Sequence, residues 1–339
     1  MEAMLYEQKP DKEIQCQLCH HQCVLKEGKR GLCSVRENRG GILHTLVYDR
    51  IVARHVDPIE KKPLFHFFPG TLAYSIGTVG CNFRCRFCQN SDIAQMATDH
   101  GGRIMGNRVT PEDMVAKALQ AGCKSIAYTY TEPTVFFELA LDTAKLAHQN
   151  GLKNVFVTNG YMSAKALEAI CPYLDAANVD LKAFSEDFYK SMCRAHLDPV
   201  LETLRQMKTL DIFVEVTTLL IPGLNDKSAE LSELAAFIAK DLGSETPWHV
   251  SRFHPCYRLM DRPQTPVETL LQARQIGLEA GLKYVYTGNV PGESSECTYC
   301  YQCGSRLVNR RGFLVSENRI RQNQCPDCGA IIHGVGLCS

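Results

Sequence analysis

Three cysteines fall within eight residues in the segment CNFRCRFC, residues 81 to 88. The spacing is C-x3-C-x2-C. Thiolates this close together can wrap one face of a small inorganic cube, whereas a structural zinc site closes with a fourth protein ligand. A [4Fe-4S] cluster held by four cysteines is electron-transfer hardware. Cys81, Cys85 and Cys88 supply three ligands and leave one iron open to a substrate or cofactor, just as an open position separates catalytic from structural zinc. Asn82, Phe83, Arg84, Arg86 and Phe87 between them are not ligands, and their bulk shields such a cluster from water.

Two more cysteine groups flank this one. Cys16, Cys19, Cys23 and Cys33 follow a C-x2-C-x3-C-x9-C pattern, with His20 and His21 beside them as substitute ligands. Four ligands allow a closed site. Structural zinc is the first reading, and an auxiliary iron-sulfur cluster that relays electrons is the alternative. CYQCG (300–304) and CPDCG (325–329) form two knuckles, and Cys300, Cys303, Cys325 and Cys328 are expected to bind zinc as a ribbon. The glycine after each second cysteine suits a backbone with positive φ. RLVNRRGFLVSENRI between the knuckles reads as a basic hairpin.

The wider composition fits metal chemistry in a reducing compartment. The chain has 339 residues and 17 cysteines, an odd count that fits a disulfide framework poorly. The N-terminus lacks a signal-peptide core, and no apolar run is long enough to cross a bilayer, so a cytoplasmic location without membrane attachment is expected. Lys+Arg and Asp+Glu both number 37. Zero net charge argues against nucleic acid as a partner held by counterion release. Cys123, Cys171, Cys193 and Cys256 stand alone and read as small buried hydrophobes.

The elements that must position these groups alternate. Strand patterns at 72–78, 125–131, 154–160, 177–183, 212–223, 248–255 and 283–289 are separated by helical patterns at 110–122, 133–151, 163–174, 185–210, 228–243 and 265–281. Thr110 and Thr265 read as helix caps. Alternation of this kind implies an α/β fold with parallel strands and right-handed crossovers. The expected architecture is a partial (β/α)6 TIM-type barrel with small Cys-rich metal-binding segments at both ends. The expected division is an N-terminal Cys-rich segment (1–56), the barrel (57–290) and a zinc-ribbon-like segment (291–339). Polar clusters TEP, TNG, DLK, PGLND and RFHP fall at strand ends, where such folds gather their chemistry.

CNFRCRFC resembles the signature of the radical SAM superfamily. Further stretches, among them DPIEKKPLFHFFPG (57–70), YTYTEPTVF (128–136), NVDLKAF (178–184) and PWHVSRFHP (247–255), look like the radical SAM member of the AmmeMemoRadiSam system, a relative of the pyruvate formate-lyase activating enzymes. The resemblance implies that Cys81, Cys85 and Cys88 hold a [4Fe-4S] cluster whose open iron chelates S-adenosylmethionine. Reductive cleavage then gives methionine and a 5'-deoxyadenosyl radical that takes a hydrogen atom from a substrate. It implies cofactor contacts from Phe87 near the adenine, from Asn90, Thr131 and Glu132, from Asn159 to the ribose, from Asp180 and Lys182 around the carboxylate, and from His254. Where relatives carry Gly-Gly-Glu, this chain has Tyr130, Thr131 and Glu132. Implied partners are an unidentified substrate (a small molecule, a peptide or a glycine in a protein), a low-potential donor such as flavodoxin or ferredoxin, and Memo-like proteins of the same system. In such chemistry Cys256, just after RFHP, is a candidate hydrogen-atom donor. A glycyl radical enzyme activase is one alternative, and a non-enzymatic iron-sulfur electron carrier or metal scaffold is another.

Overall fold

A computed structural model describes residues 1–290 and 294–338. An eight-stranded sheet forms its centre: β1 (Ala53–Pro58), β2 (Leu72–Gly77), β3 (Ser125–Tyr128), β4 (Lys153–Thr158), β5 (Ala176–Asp180), β6 (Phe213–Leu220), β7 (Trp248–Arg252) and β8 (Val285–Gly288). Strand order follows chain order without interruption. β1 is antiparallel to β2, and the remaining pairs are all parallel. Six principal helices connect β2 through β8: α1 (Pro111–Gln120), α2 (Phe137–Gln149), α3 (Ala164–Ile170), α4 (Asp198–Thr209), α5 (Ser228–Phe237) and α6 (Val267–Glu279). This is the expected partial barrel, with β1 and β8 at its two edges.

Local chemistry explains most boundaries. At α1, the Thr110 hydroxyl accepts from the Asp113 N–H (3.2 Å), the Asp113 carboxylate accepts from the Thr110 N–H, and Pro111 opens the first turn. α6 differs from expectation. It starts at Val267 without a side-chain cap. Thr265 instead accepts from the Phe253 N–H (2.9 Å) and donates to the Leu220 carbonyl (2.7 Å), which ties the ends of β6 and β7 together. The expected limit between residues 56 and 57 falls inside β1, because residues 53–58 pair with β2. The expected limit at 290–291 borders residues 291–293, which lie outside the described residues.

The N-terminal segment folds as a three-stranded ribbon (Tyr6–Gln8, Ile14–Cys16, Val24–Leu25) and a hairpin (Arg36–Arg39, Ile42–Thr45). Its Ile14, Leu18, Leu25 and Val35 share one apolar core with Val79 and Phe83 of the barrel. The C-terminal segment is a three-stranded antiparallel unit (Thr298–Tyr299, Arg306–Arg311, Leu314–Asn318) that includes the expected hairpin. It docks through Leu307, Ile320 and Ile332 onto Phe65, Tyr284 and Tyr286. Buried Arg310 fastens this seat: it donates to the Phe65 carbonyl (2.7 Å) and the Thr298 hydroxyl (2.7 Å) and stacks 4.3 Å above the Phe65 ring. The segment therefore packs against Tyr286 of β8, the edge strand. Among the described residues, no helix is long and apolar enough to cross a membrane.

Gly160, in the turn after β4, has φ +69, and a Cβ there would meet Val179 at 2.8 Å and Val200 at 3.2 Å. Gly160→Ala combines backbone strain with overpacking. It is expected to lower stability by roughly 2–4 kcal/mol, read as a shift of the denaturant midpoint at unchanged slope.

Candidate functional site at the barrel rim

All parallel strands end at the same rim, where their loops surround a cleft of about 540 Å³. That is within the usual range for small-molecule sites. Cys81, Cys85 and Cys88 all line it. The loop that carries them is held by its backbone: the Arg84 N–H donates to the Cys193 carbonyl (2.8 Å), the Arg86 N–H to the Met192 carbonyl (3.0 Å), and the Arg258 N–H to the Arg86 carbonyl (3.0 Å). The Phe83 N–H donates to the Cys81 sulfur at 3.3 Å. Burial, then the Glu132 carboxylate, pushes the Cys81 thiol well above its ordinary pKa. Burial raises Cys88 to about 12. Cys85 is raised by a hydrogen bond with Cys193 and by burial. Such thiols ionise readily only with a cation to bind.

Glu132 is the hub of the rim. Its carboxylate accepts from the Thr134 N–H (3.0 Å), the Thr134 hydroxyl (2.5 Å), the Thr158 hydroxyl (2.8 Å) and the Asn159 N–H (2.8 Å). It is buried, and burial raises its pKa despite these donors. Glu132 thus ties the end of β4 to the turn after β3. Tyr130 stands where relatives of the resembled family carry glycine, and it keeps the glycine-like backbone, with φ +67. Its hydroxyl donates to Asp57 (2.7 Å), and Lys62 lies 4.9 Å above its ring. These contacts offset the strain of that conformation.

The other residues singled out in the sequence divide into two sets. Phe87, Asn90, Thr131, Asn159, Asp180 and Lys182 line the cleft with Glu132. Three of them are partly engaged. Asn90 donates to the Tyr130 carbonyl (2.8 Å), Thr131 donates to the Thr78 carbonyl (2.9 Å), and the Asn159 amide donates to the Asn82 side chain (2.8 Å) while lying 3.9 Å from the Cys81 sulfur. Lys182 pairs with Asp180 at 2.6 Å. Burial lowers the Lys182 pKa, but Asp180 and Cys85 more than offset it, so the group is held as a cation. His254 is not brought to the cleft. Phe253 turns into the core, so the next side chain turns outward, exposed and beside Gln264. Cys256 also lies outside the lining, with its thiol on the Phe87 carbonyl (3.3 Å). Cys193 is fully buried against Cys85 and does not line the cleft either.

Several lining residues had no mark in the sequence. Ser251 and Asn289 sit at the ends of β7 and β8 and bond each other (2.9 Å); their strand-end positions were the available signal. Phe313, at the tip of the C-terminal hairpin, also lines the cleft. No local pattern points to it, because only the docking of the ribbon brings it there.

The flanking cysteines separate by geometry. All 17 cysteines are free thiols. Cys300, Cys303, Cys325 and Cys328 converge, with all four sulfurs within 4.8 Å of one another. Gly304 and Gly329 both have φ +75, as the knuckle pattern requires. Cys16, Cys19, Cys23 and Cys33 line a separate cavity with His21.

An open parallel barrel with a three-cysteine cleft at its rim defines a cofactor-dependent α/β enzyme class, and comparison with known proteins names it. A profile of the radical SAM superfamily matches residues 75–235. An uncharacterised protein of Methanocaldococcus jannaschii, MJ0808, is 46% identical over 97% of both chains. The pyruvate formate-lyase-activating enzyme of Clostridium pasteurianum is 23% identical over 60% of this chain and 87% of its own. Streptococcus suis SuiB, solved with S-adenosylmethionine bound, shares the fold at a TM-score of 0.51 and 13% identity, over 68% of this chain and 53% of SuiB. Residues 75–235 are thus a radical SAM superfamily domain. Membership implies S-adenosylmethionine and a [4Fe-4S] cluster, and it sets aside the non-enzymatic carrier reading.

Glu132→Gln places an amide N–H2 where the rim offers only donors. It is expected to cost about 2–4 kcal/mol, measured by chemical denaturation of the intact chain.

Proposed function

We propose that Cys81, Cys85 and Cys88 hold the [4Fe-4S] cluster and that S-adenosylmethionine lies in the cleft beside it. The observation that carries this reading is the single loop that turns three thiols into one 540 Å³ cleft while Cys193, the next sulfur, stays behind it. When bound, the two cofactors supply a 5'-deoxyadenosyl radical, which abstracts hydrogen from the substrate. The protein's part is position and the exclusion of water. Lys182, held charged by Asp180, lines the cleft where it would pair with the cofactor carboxylate. Asn159 orients the Cys81 side of the loop through its amide. Glu132 acts one step back as a positioning residue, since its oxygens are already occupied by four donors. Phe87 and Phe313 supply apolar walls. His254 has no role in this arrangement.

The substrate enters past Phe313 and is a small molecule, a peptide or a glycine-bearing loop of a protein. Similarity to pyruvate formate-lyase-activating enzymes supports the last of these as a second reading. Resemblance to the AmmeMemoRadiSam system supports Memo-like proteins as partners. The electron comes from a ferredoxin- or flavodoxin-type donor. We also assign one structural zinc to Cys300, Cys303, Cys325 and Cys328, where it would hold the two knuckles of the ribbon together.

Anaerobic reconstitution with iron and sulfide, then dithionite and S-adenosylmethionine, is expected to yield 5'-deoxyadenosine, and Cys85→Ala to reduce the yield to background. Unchanged formation in that variant would refute the assignment. Cys325→Ser is expected to lose about one zinc per chain, with the iron bound at Cys81, Cys85 and Cys88 retained; metal analysis of the purified variant reads both.

A further inference from the structure

The N-terminal cysteines surround a different kind of space from the C-terminal ones. In the C-terminal group, Cys300 and Cys328 sulfurs are 3.6 Å apart and Cys303 and Cys325 sulfurs 3.7 Å apart. Zinc bonds of about 2.3 Å in a tetrahedron place thiolates roughly 3.8 Å apart, so this group is contracted for one ion. Among the described residues, no other group of three or more ligands converges within 4.8 Å. Cys16, Cys19, Cys23 and Cys33 instead line one cavity, and no three of their sulfurs are drawn to within 4.8 Å of one another. In a four-iron cube each thiolate binds a different corner, so its thiolates stand farther apart than those on a single zinc.

A second observation is independent of spacing. Arg36 Nε and Asn82 Nδ2 are buried and have no hydrogen-bond partner. Their residues are 1% and 2% exposed, and both line this cavity. The other Arg36 nitrogens are engaged, Nη1 with Glu138 and Nη2 with the Met4 carbonyl at 2.6 Å. Buried donors are rarely left without an acceptor. Two on residues that line one cysteine-rich cavity call for an electron-rich ligand of net negative charge.

We propose that Cys16, Cys19, Cys23 and Cys33 hold a second [4Fe-4S] cluster, with every iron bound by a cysteine and with Arg36 Nε and Asn82 Nδ2 donating hydrogen bonds to its sulfur. Having no open iron, this cluster exchanges electrons and binds no substrate. It takes one electron from a ferredoxin- or flavodoxin-type donor and gives one up, with no bond made or broken. Its frame is continuous with the first site. Asn82 adjoins Cys81, the His21 ring nitrogen contacts the Asn82 carbonyl (2.8 Å), and the Arg84 guanidinium donates to the carbonyls of both Leu32 and Cys81. The proposal stands apart from the chemistry assigned to the cleft.

The test uses the full chain reconstituted anaerobically, with iron, sulfide and zinc counted and the dithionite-reduced protein examined by electron paramagnetic resonance. The expected contents are about eight iron and eight sulfide with about one zinc. Cys16→Ala/Cys19→Ala is expected to keep the zinc and fall to about four iron. Cys85→Ala/Cys88→Ala is expected to keep about four iron as well, with a signal that S-adenosylmethionine does not perturb. Arg36→Met is expected to lower the midpoint potential of that signal. About four iron with a second zinc in the wild-type chain would overturn the proposal, as would loss of all iron from Cys85→Ala/Cys88→Ala. Eight iron without cleavage of S-adenosylmethionine would sink the reading of the cleft and leave this one standing.

Discussion

Parallel strands paired only with their chain neighbours must all deliver their C-terminal ends to one rim. That constraint governs the molecule. Each crossover returns the chain to the opposite end of the sheet, so every loop that follows a strand arrives at the same place. β2 delivers the three cysteines, β3 delivers Glu132, β4 delivers Asn159, and β5 delivers Asp180 and Lys182. No long-range contact has to be invented to assemble them. The antiparallel β1 extends the sheet on the side of β2 and brings Asp57 to the hydroxyl of Tyr130.

An open barrel also leaves work undone, and the two terminal segments do it. The ribbon packs on Phe65 and Tyr286, fastened by Arg310, and sends Phe313 to the cleft lining. The N-terminal segment lies over the loop after β4, where Leu18 and His20 exchange backbone hydrogen bonds with Ser163 and Tyr161. Both additions are small and rich in cysteine, as segments with little core of their own often are. Their attachment to the barrel differs. One is seated by a buried guanidinium on an aromatic ring, and the other shares the barrel's own apolar core.

Sulfur spacing acts as a ruler throughout. Thiols drawn together to 3.6–3.7 Å leave room for one ion, whereas thiols held farther apart suit a cube. The C-x2-C spacing occurs in both terminal groups and carries no such information. Distance in space is the discriminating quantity, and it depends on the backbone that each cysteine pair is mounted on.

Much of this was legible beforehand. The strand and helix alternation, the cap at Thr110 and the knuckle glycines were visible because they are local: a few neighbouring residues decide each of them. Thr131, Glu132, Asn159, Asp180 and Lys182 stood in polar clusters at strand ends, whereas Phe87 and Asn90 were pointed to by the resemblance to the radical SAM superfamily; all of them line the cleft. The exceptions share one cause. Thr265 left its helix to join β6 and β7, His254 faced outward because Phe253 filled the core, and Phe313 arrived from a segment far along the chain. By itself the sequence determined which elements form and which strand end carries each polar group, since hydrogen bonding and periodicity act over a few residues. Only the tertiary structure decided which side chains face the cleft and how far apart the cysteines stand, because those depend on packing between segments that never meet along the chain.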